Sequence, residues 1–429
     1  GFGVFYDVLK GEDNLQFNGQ GPFFGAAFIG FDPPKTITAT VPYLTDPFGS
    51  SGTPQSFPSR PPASNIDFDK AGFLPFGGSS VYFVDPHLRT PYTYQYNLSL
   101  QHEFGAGLVS EVSYVGSSSH KLTSLVDNNP FIRGTSTRSA NAQPGVRAGS
   151  FGLLDTFENV GNASYNSLQS SLQKRTADVR FFGTTYFTLA YTYSHNIDSV
   201  SGFRENTSKV PYYNHKLFHG NADTDLRHNV SFSGGWDLPF DHWWSSGPKR
   251  LIGGWSLYPI VTWRTGFPLD VYAGFGESST RTGPSGAGDR DIVHADLVGS
   301  KITTFDPKNP RAINGTSGHY YFDPGNFSAA RFTSAFEAAV IANPSLATYG
   351  TLPRNSFFGP GRTNFDLSLS KRIPIYRERV AAELRGDFFN ILNHAEFDIP
   401  SRTITSGQFG QVSTTADPRI IQLAIRLTF

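Results

Sequence analysis

Residues 421–429 read Ile421-Gln422-Leu423-Ala424-Ile425-Arg426-Leu427-Thr428-Phe429, apolar at every odd position and polar or small between. A period of two puts successive side chains on opposite faces of an extended strand, so this stretch has an oily face and a wet face. The same alternation recurs upstream. Tyr92, Tyr94, Tyr96, Leu98, Leu100 and Phe104 face one way, against Thr93, Gln95, Asn97, Ser99, Gln101 and Glu103. Phe187, Leu189, Tyr191 and Tyr193 oppose Thr188, Ala190, Thr192 and Ser194. Phe365, Leu367 and Leu369 oppose Asp366, Ser368 and Ser370.

About ten segments read as strands on this pattern, near 1–8, 90–104, 107–118, 162–175, 182–197, 226–240, 254–267, 363–375, 378–394 and 418–429. Their connections alternate in length. Short ones are Gly105-Ala106, Thr176 to Phe181, Asp241 to Gly253, and Tyr376-Arg377; long ones cover 9–89, 119–161, 198–225, 268–362 and 395–417. Short turns at one end and long loops at the other belong to an antiparallel barrel crossing a membrane. Aromatic residues gather at the expected water boundaries. Tyr92, Tyr94, Tyr193, Trp263 and Phe267 fall at the outer ends, and Phe104, Trp236, Phe240, Trp255 and Phe429 at the inner ends. The long connections are rich in Gly, Pro, Ser and Asn, with one short helix expected around 334–341.

Composition fits the same class. Only 16% of the 429 residues are charged and 15% are aromatic, with mean hydropathy −0.29. A soluble domain carries nearer a quarter charged residues, whereas a barrel has an apolar lipid face and a polar, weakly charged lumen. No continuous apolar run reaches the roughly 18 residues of a membrane helix, so the crossing must be by strands. A soluble β-sandwich also alternates, but would bury its oily faces against each other. Zero cysteine excludes disulfides and thiolate chemistry. Thirty-five basic and 35 acidic residues leave no electrostatic footprint for nucleic acid. The chain opens on Gly1-Phe2-Gly3-Val4-Phe5-Tyr6-Asp7 without methionine or a signal peptide, and is expected to be part of a longer protein, processed or truncated.

Several stretches together resemble the C-terminal barrel portion of TonB-dependent outer-membrane receptors, in the Oar-like group with a carboxypeptidase-regulatory-like domain. They include Thr90-Pro-Tyr-Thr-Tyr-Gln-Tyr-Asn-Leu-Ser-Leu-Gln, Glu111-Val-Ser-Tyr-Val-Gly, Asp225-Leu-Arg-His-Asn-Val-Ser-Phe-Ser and Thr265-Gly-Phe-Pro-Leu. Others are Phe358-Gly-Pro-Gly-Arg-Thr-Asn-Phe-Asp, Phe388-Phe-Asn-Ile-Leu-Asn-His-Ala-Glu-Phe and the 417–429 tail. The resemblance implies that residues 1–429 are the C-terminal part of a roughly 22-stranded barrel. It also implies a plug, a TonB box and an N-terminal domain with no counterpart in this sequence. Partners implied are outer-membrane lipid, the TonB complex, the barrel assembly machinery and an extracellular ligand. Bacterial outer-membrane barrels typically finish on such a strand, so Ile425, Leu427 and Phe429 are expected to form the assembly signal. Ten strands alone would leave two open edges in lipid, where edge amides find no partner.

The candidate functional residues are charges on the wet faces. Arg264, Glu383, Arg385, Asp387, Gln422 and Arg426 are expected to face the lumen, either contacting a plug or solute or forming a cross-strand ion-pair ladder. Asp223 with Asp225 and Asp289 with Asp291 offer oxygens for Ca²⁺, but exposed turn carboxylates are the commoner reading. His215, His219 and His228 lie around a loop and strand start and read as loop histidines. No cofactor is implied, and no nucleophile elbow, P-loop, dinucleotide fingerprint or His-Glu-x-x-His motif is present, so no enzyme is expected. The expected fold is an all-β transmembrane antiparallel barrel with long extracellular loops. Its leading function is nutrient import; a scaffold or adhesion barrel and a passive pore are the alternatives.

Overall fold

The computed structural model describes residues 1–8, 81–129, 140–146, 154–179, 181–199, 201, 219–244, 246–274, 293–328, 351–376 and 380–429. Ten strands form the wall: β1 Phe2–Tyr6, β2 Tyr92–Glu103, β3 Leu108–Asp127, β4 Leu154–Val179 and β5 Gly183–Asp198. They continue as β6 His228–Leu238, β7 Trp255–Arg264, β8 Arg362–Tyr376, β9 Val380–Phe389 and β10 Ile420–Thr428. Each pairs antiparallel with the next in chain order, and two short strands, Val81–Val84 and Gly220–Asn221, add to the outer ends of β4 and β5. The order ends at β1 and β10, which do not pair with each other, so the sheet is open.

Register carries the alternation across the whole wall. Leu98 lies opposite Tyr114, Tyr114 opposite Leu168, and Leu168 opposite Tyr193. Further on, Phe232 meets Val261, Val261 meets Phe365, and Leu384 meets Ile425. One face is therefore predominantly apolar and the other predominantly polar, with the charges of β9 and β10 on the polar side. Among the described residues no second layer covers the oily face, since Leu98 is 65% exposed, Leu100 70% and Leu423 80%. A two-layer sandwich would bury these side chains; a wall facing hydrocarbon leaves them bare of protein. No described helix is long and apolar enough to cross a membrane.

The face assignment has a direct test on two adjacent residues of β5. Leu189→Arg is expected to cost about 2–4 kcal/mol near the bilayer midplane, while Thr188→Arg on the wet face costs far less. Equilibrium unfolding in lipid vesicles measures both; equal losses would reject the two-faced wall.

The inner turn between β2 and β3 runs through Gly105, Ala106 and Gly107 at φ of 89, 48 and 72°. Two of these three left-handed positions use glycine, which has no Cβ to clash. The 239–254 turn is more elaborate, holding two single-turn helices, Phe240–Trp243 and Lys249–Ile252. Two indoles bond locally at this end: Trp243 Nε1 donates to the Phe181 carbonyl at 2.9 Å and Trp255 Nε1, at the start of β7, to that of Leu251 at 3.0 Å. Lys371, beside them at the inner end of the oily face, donates to the Gly253 carbonyl and lies 5.2 Å from the centroid of the Trp255 ring. This long cation thus bends toward the water boundary and away from hydrocarbon. At the outer end, Tyr92 packs against Tyr94 and His120, and Tyr193 against His228, which also lies near Trp263.

The outer end departs from the expected loops. The connection expected over 119–161 is partly strand, because β3 runs to Asp127 and β4 begins at Leu154. A membrane strand needs only about 9–11 residues; β3 has 20 and β4 has 26. The hairpin therefore projects beyond the wall, passing irregularities around Lys121 at φ 57°. Residues 268–274, 293–328, 351–361 and 395–417 build a cap with its own dry core. Phe322, Phe327, Phe357 and Phe409 pack there around Leu269, Val271, Ala295 and Leu352. Backbone bonds tie the two contributing connections together, from Tyr272 N to Arg402 O and from Tyr321 N to Gly410 O. At the cap's root, the Gly266 backbone passes so close to Gly359 that a Cβ would lie 1.8 Å from its carbonyl oxygen. The helix expected around 334–341 lies outside the described residues.

Candidate functional site

Charges on the wet face concentrate on β8, β9 and β10. Ser370 stands opposite Arg385, and Ser368 opposite Asp387. Ser370 Oγ donates to Glu383 Oε1 at 2.8 Å, and Arg385 Nε donates to Asp387 Oδ1 at 2.8 Å. Ser368 donates to the same Asp387 carboxylate and accepts from Arg385 Nη2 at 3.3 Å. Arg426 lies across from Glu383, and Gln422 across from Asp387. Five of the six expected residues thus line one strand pair, β9 and β10, and alternate with the oily face as a period of two requires. Arg385, Asp387 and Ser368 satisfy one another while Glu383 takes the Ser370 hydroxyl one rung away, cross-strand bonding that stiffens the wall.

Arg264 stands apart at the outer end of the same face, with Arg362 directly opposite on β8 and Asn229 on β6. Around it the 390–398 segment forms a polar rim. Asn390, at φ 47°, ends β9 and receives the backbone N–H of His394 at 2.9 Å, while its own N–H donates to Asp366 Oδ1 at 2.8 Å. Glu396 is buried; it accepts the Thr363 backbone N–H at 2.8 Å and pairs with His394 Nδ1 at 2.7 Å. Arg362 Nη2 meets Asp398 Oδ1 at 2.6 Å.

A second polar cluster clasps the cap to the wall. Arg354, only 5% exposed in its side chain, donates Nη1 to Asp198 Oδ1 at 2.6 Å. Its Nη2 reaches Ser201 Oγ at 2.6 Å and Asp223 Oδ1 at 3.2 Å. Asn355 continues the cluster, its backbone N–H donating to Asp270 Oδ1 at 2.6 Å and its Nδ2 to Asp223 Oδ1 at 2.6 Å. Asn221 Nδ2 returns a bond to the Asn355 carbonyl at 2.8 Å. Burial works against the Arg354 charge, yet Asp198, Asp223 and Asp270 outweigh it and hold its pKa above the ordinary guanidinium value. Burial, with Asp270 beside it, pushes the Tyr272 phenol up to about 12, so it stays neutral at any physiological pH.

Asp225 corrects the expectation of exposed turn carboxylates. It is fully buried, takes the Asn196 backbone N–H at 2.7 Å and pairs with Arg227 Nε at 2.7 Å. Both carboxylate oxygens are engaged, so it organises the loop between β5 and β6. Among the described residues no group of three or more His, Asp or Glu is placed to hold a metal ion. His228 opens β6 and bonds Tyr191 through Nδ1 at 2.9 Å, whereas His219 is exposed. Asp289, Asp291 and His215 lie outside the described residues. Sequence reasoning missed Arg354, Asn355, Asp198 and Asp270. Their only local signal was an arginine and an asparagine in a glycine- and proline-rich connection.

A family model described as outer membrane beta barrel domain matches residues 1–422. No curated protein matches the chain. Among solved structures, the outer membrane transporter YddB from Escherichia coli is 13% identical with a TM-score of 0.41, over 82% of this chain and 34% of its own. BauA, the ferric preacinetobactin receptor from Acinetobacter baumannii, is 12% identical with a TM-score of 0.37, over 79% and 30%. The ferric citrate transporter FecA is 9% identical with a TM-score of 0.33, over 79% and 31%. The chain spans about a third of the length of these solved proteins.

Proposed function

Because the chain belongs to the outer membrane beta barrel domain family and lies in the bacterial outer membrane, we propose that it forms part of a TonB-dependent importer. In this reading its ten strands are part of a larger closed barrel, and further strands pair with the free edges of β1 and β10. Unpaired edge amides in hydrocarbon cost several kcal/mol each, which favours closure. The wet face lines the lumen, where Glu383, Arg385, Asp387, Gln422 and Arg426 stiffen the wall beside a plug supplied by another segment. Nutrient first meets the cap and the long outer loops, and energised displacement of the plug then opens the passage. Barrel assembly machinery reads Ile425, Leu427 and Phe429 at the end of the last strand.

The observation that carries this reading is a polar, weakly charged wall roofed at one end by folded loops. A passive pore has no need of such a roof. The test is uptake by cells carrying the whole parent gene. Accumulation of nutrient is expected to fall to background when TonB is deleted or the proton-motive force is collapsed. Uptake indifferent to both would reject active import, and steady conductance in planar bilayers would identify an open pore in its place.

A further inference from the structure

Arg264 and Arg362 occupy directly opposite positions on the wet face at the outer end of β7 and β8. Like charges across a strand pair destabilise it, so the arrangement calls for a compensating anion. Arg362 has one in Asp398, at 2.6 Å. Arg264 has no direct ion pair or hydrogen bond among the described residues: its guanidinium lies over the Phe267 ring, 4.5 Å from the centroid, and the Glu396 carboxylate acts on it only at longer range. The neighbouring carboxylates are already engaged, Asp398 by Arg362 and Glu396 by His394 and the Thr363 amide. A guanidinium offers a planar fork of five donors. Stacked on a ring it keeps its plane fixed and its edge open, a geometry suited to two parallel bonds from one carboxylate or phosphate. Asn229, opposite Arg264 on β6, places a side-chain amide on the same rung.

We propose that Arg264, assisted by Arg362 and Asn229, binds a carboxylate or phosphate group of a diffusible solute at the outer mouth of the lumen. This inference rests on the import reading above and narrows its substrate to solutes bearing such an anionic group. An anion there would also relieve the repulsion between the two arginines. Lysine would serve poorly, because a point charge cannot reproduce the two-bond fork.

Inorganic phosphate and succinate, titrated separately into the full-length protein in detergent micelles, test the site without requiring transport. Phosphorus line broadening follows phosphate, and the rise in melting temperature follows both. Saturable binding is expected, weakened at least tenfold by Arg264→Met and partly retained by Arg264→Lys, while Arg250→Met at the remote inner turn changes nothing. Should Arg264→Met not fold, Asn229→Ala with Arg264→Lys is expected to give the same tenfold loss. No saturable binding to the wild type, or equal affinity in the Arg264 variants, would overturn the site. Anion binding that persists when energised uptake is absent would reject import alone, and uptake without anion binding would reject only this site.

Discussion

Replacing Arg354 with methionine is expected to release the cap from the rim of β5. Removing one partner of a buried ion pair costs about 3–5 kcal/mol, because the other charge is left uncompensated. The Asp198 carboxylate is that partner, 8% exposed and 2.6 Å away. The Asp223 contact adds less, since that carboxylate is 47% exposed and screened by water. The loss should be local. A clasp weakened by about 3 kcal/mol raises the opened population on the order of a hundredfold. Limited proteolysis of the outer loops on intact cells measures this, with the strands of the wall left uncut. Adding Asp198→Asn should recover part of the loss by removing the stranded charge. Unchanged cleavage in the single variant would show that Arg354 does not hold the cap.

Phe322→Ala is expected to dissolve the cap itself. The ring is fully buried and makes edge contacts with Phe327, Phe357 and Phe409 at centroid distances of 5.2, 5.6 and 5.3 Å. Such truncations cost about 3–5 kcal/mol through lost burial and the cavity left behind. Three further aromatic rings border that cavity, so collapse onto it would be poor. Phe322→Leu keeps most of the volume and should cost about 1.5 kcal/mol or less. Near-ultraviolet dichroism, which reads the packed rings, should fade in the alanine variant. The heat-modifiable mobility of the barrel wall should persist. A wall that fails together with the cap would show one cooperative unit where the cap's own core, distinct from the sheet, indicates two.

The wall was legible in the sequence because its rule is local. A strand flips its side chains at every residue, so the oily set and the wet set follow from position alone. Leu423 with Ile425 and Glu383 with Arg385 fall on opposite faces for that reason, and the structure places them so. The alternation of short and long connections likewise needed only the chain order. The same local rule could not say how far β3 and β4 continue outward, since their outer segments no longer face lipid and lose the simple two-faced pattern.

The clasp and the cap were not legible, for a physical reason. Arg354 meets Asp198 across 156 residues of chain, and Phe322 meets Phe409 from a different connection. No periodicity links such positions; only the folded path of the loops brings them together. Asp225 looked like a solvated turn carboxylate because its neighbours in sequence are polar, and became a buried hub only when the β5–β6 loop folded around it. What the sequence determined by itself was a two-faced antiparallel wall and the face on which each charge lies. Tertiary structure alone decided which charges meet: a local pattern sets direction, whereas partnership depends on distance between remote segments. That is why Arg264 could be assigned to the wet face from its position, while the absence of a direct ion-pair partner among the described residues emerged only once the rim around it was folded.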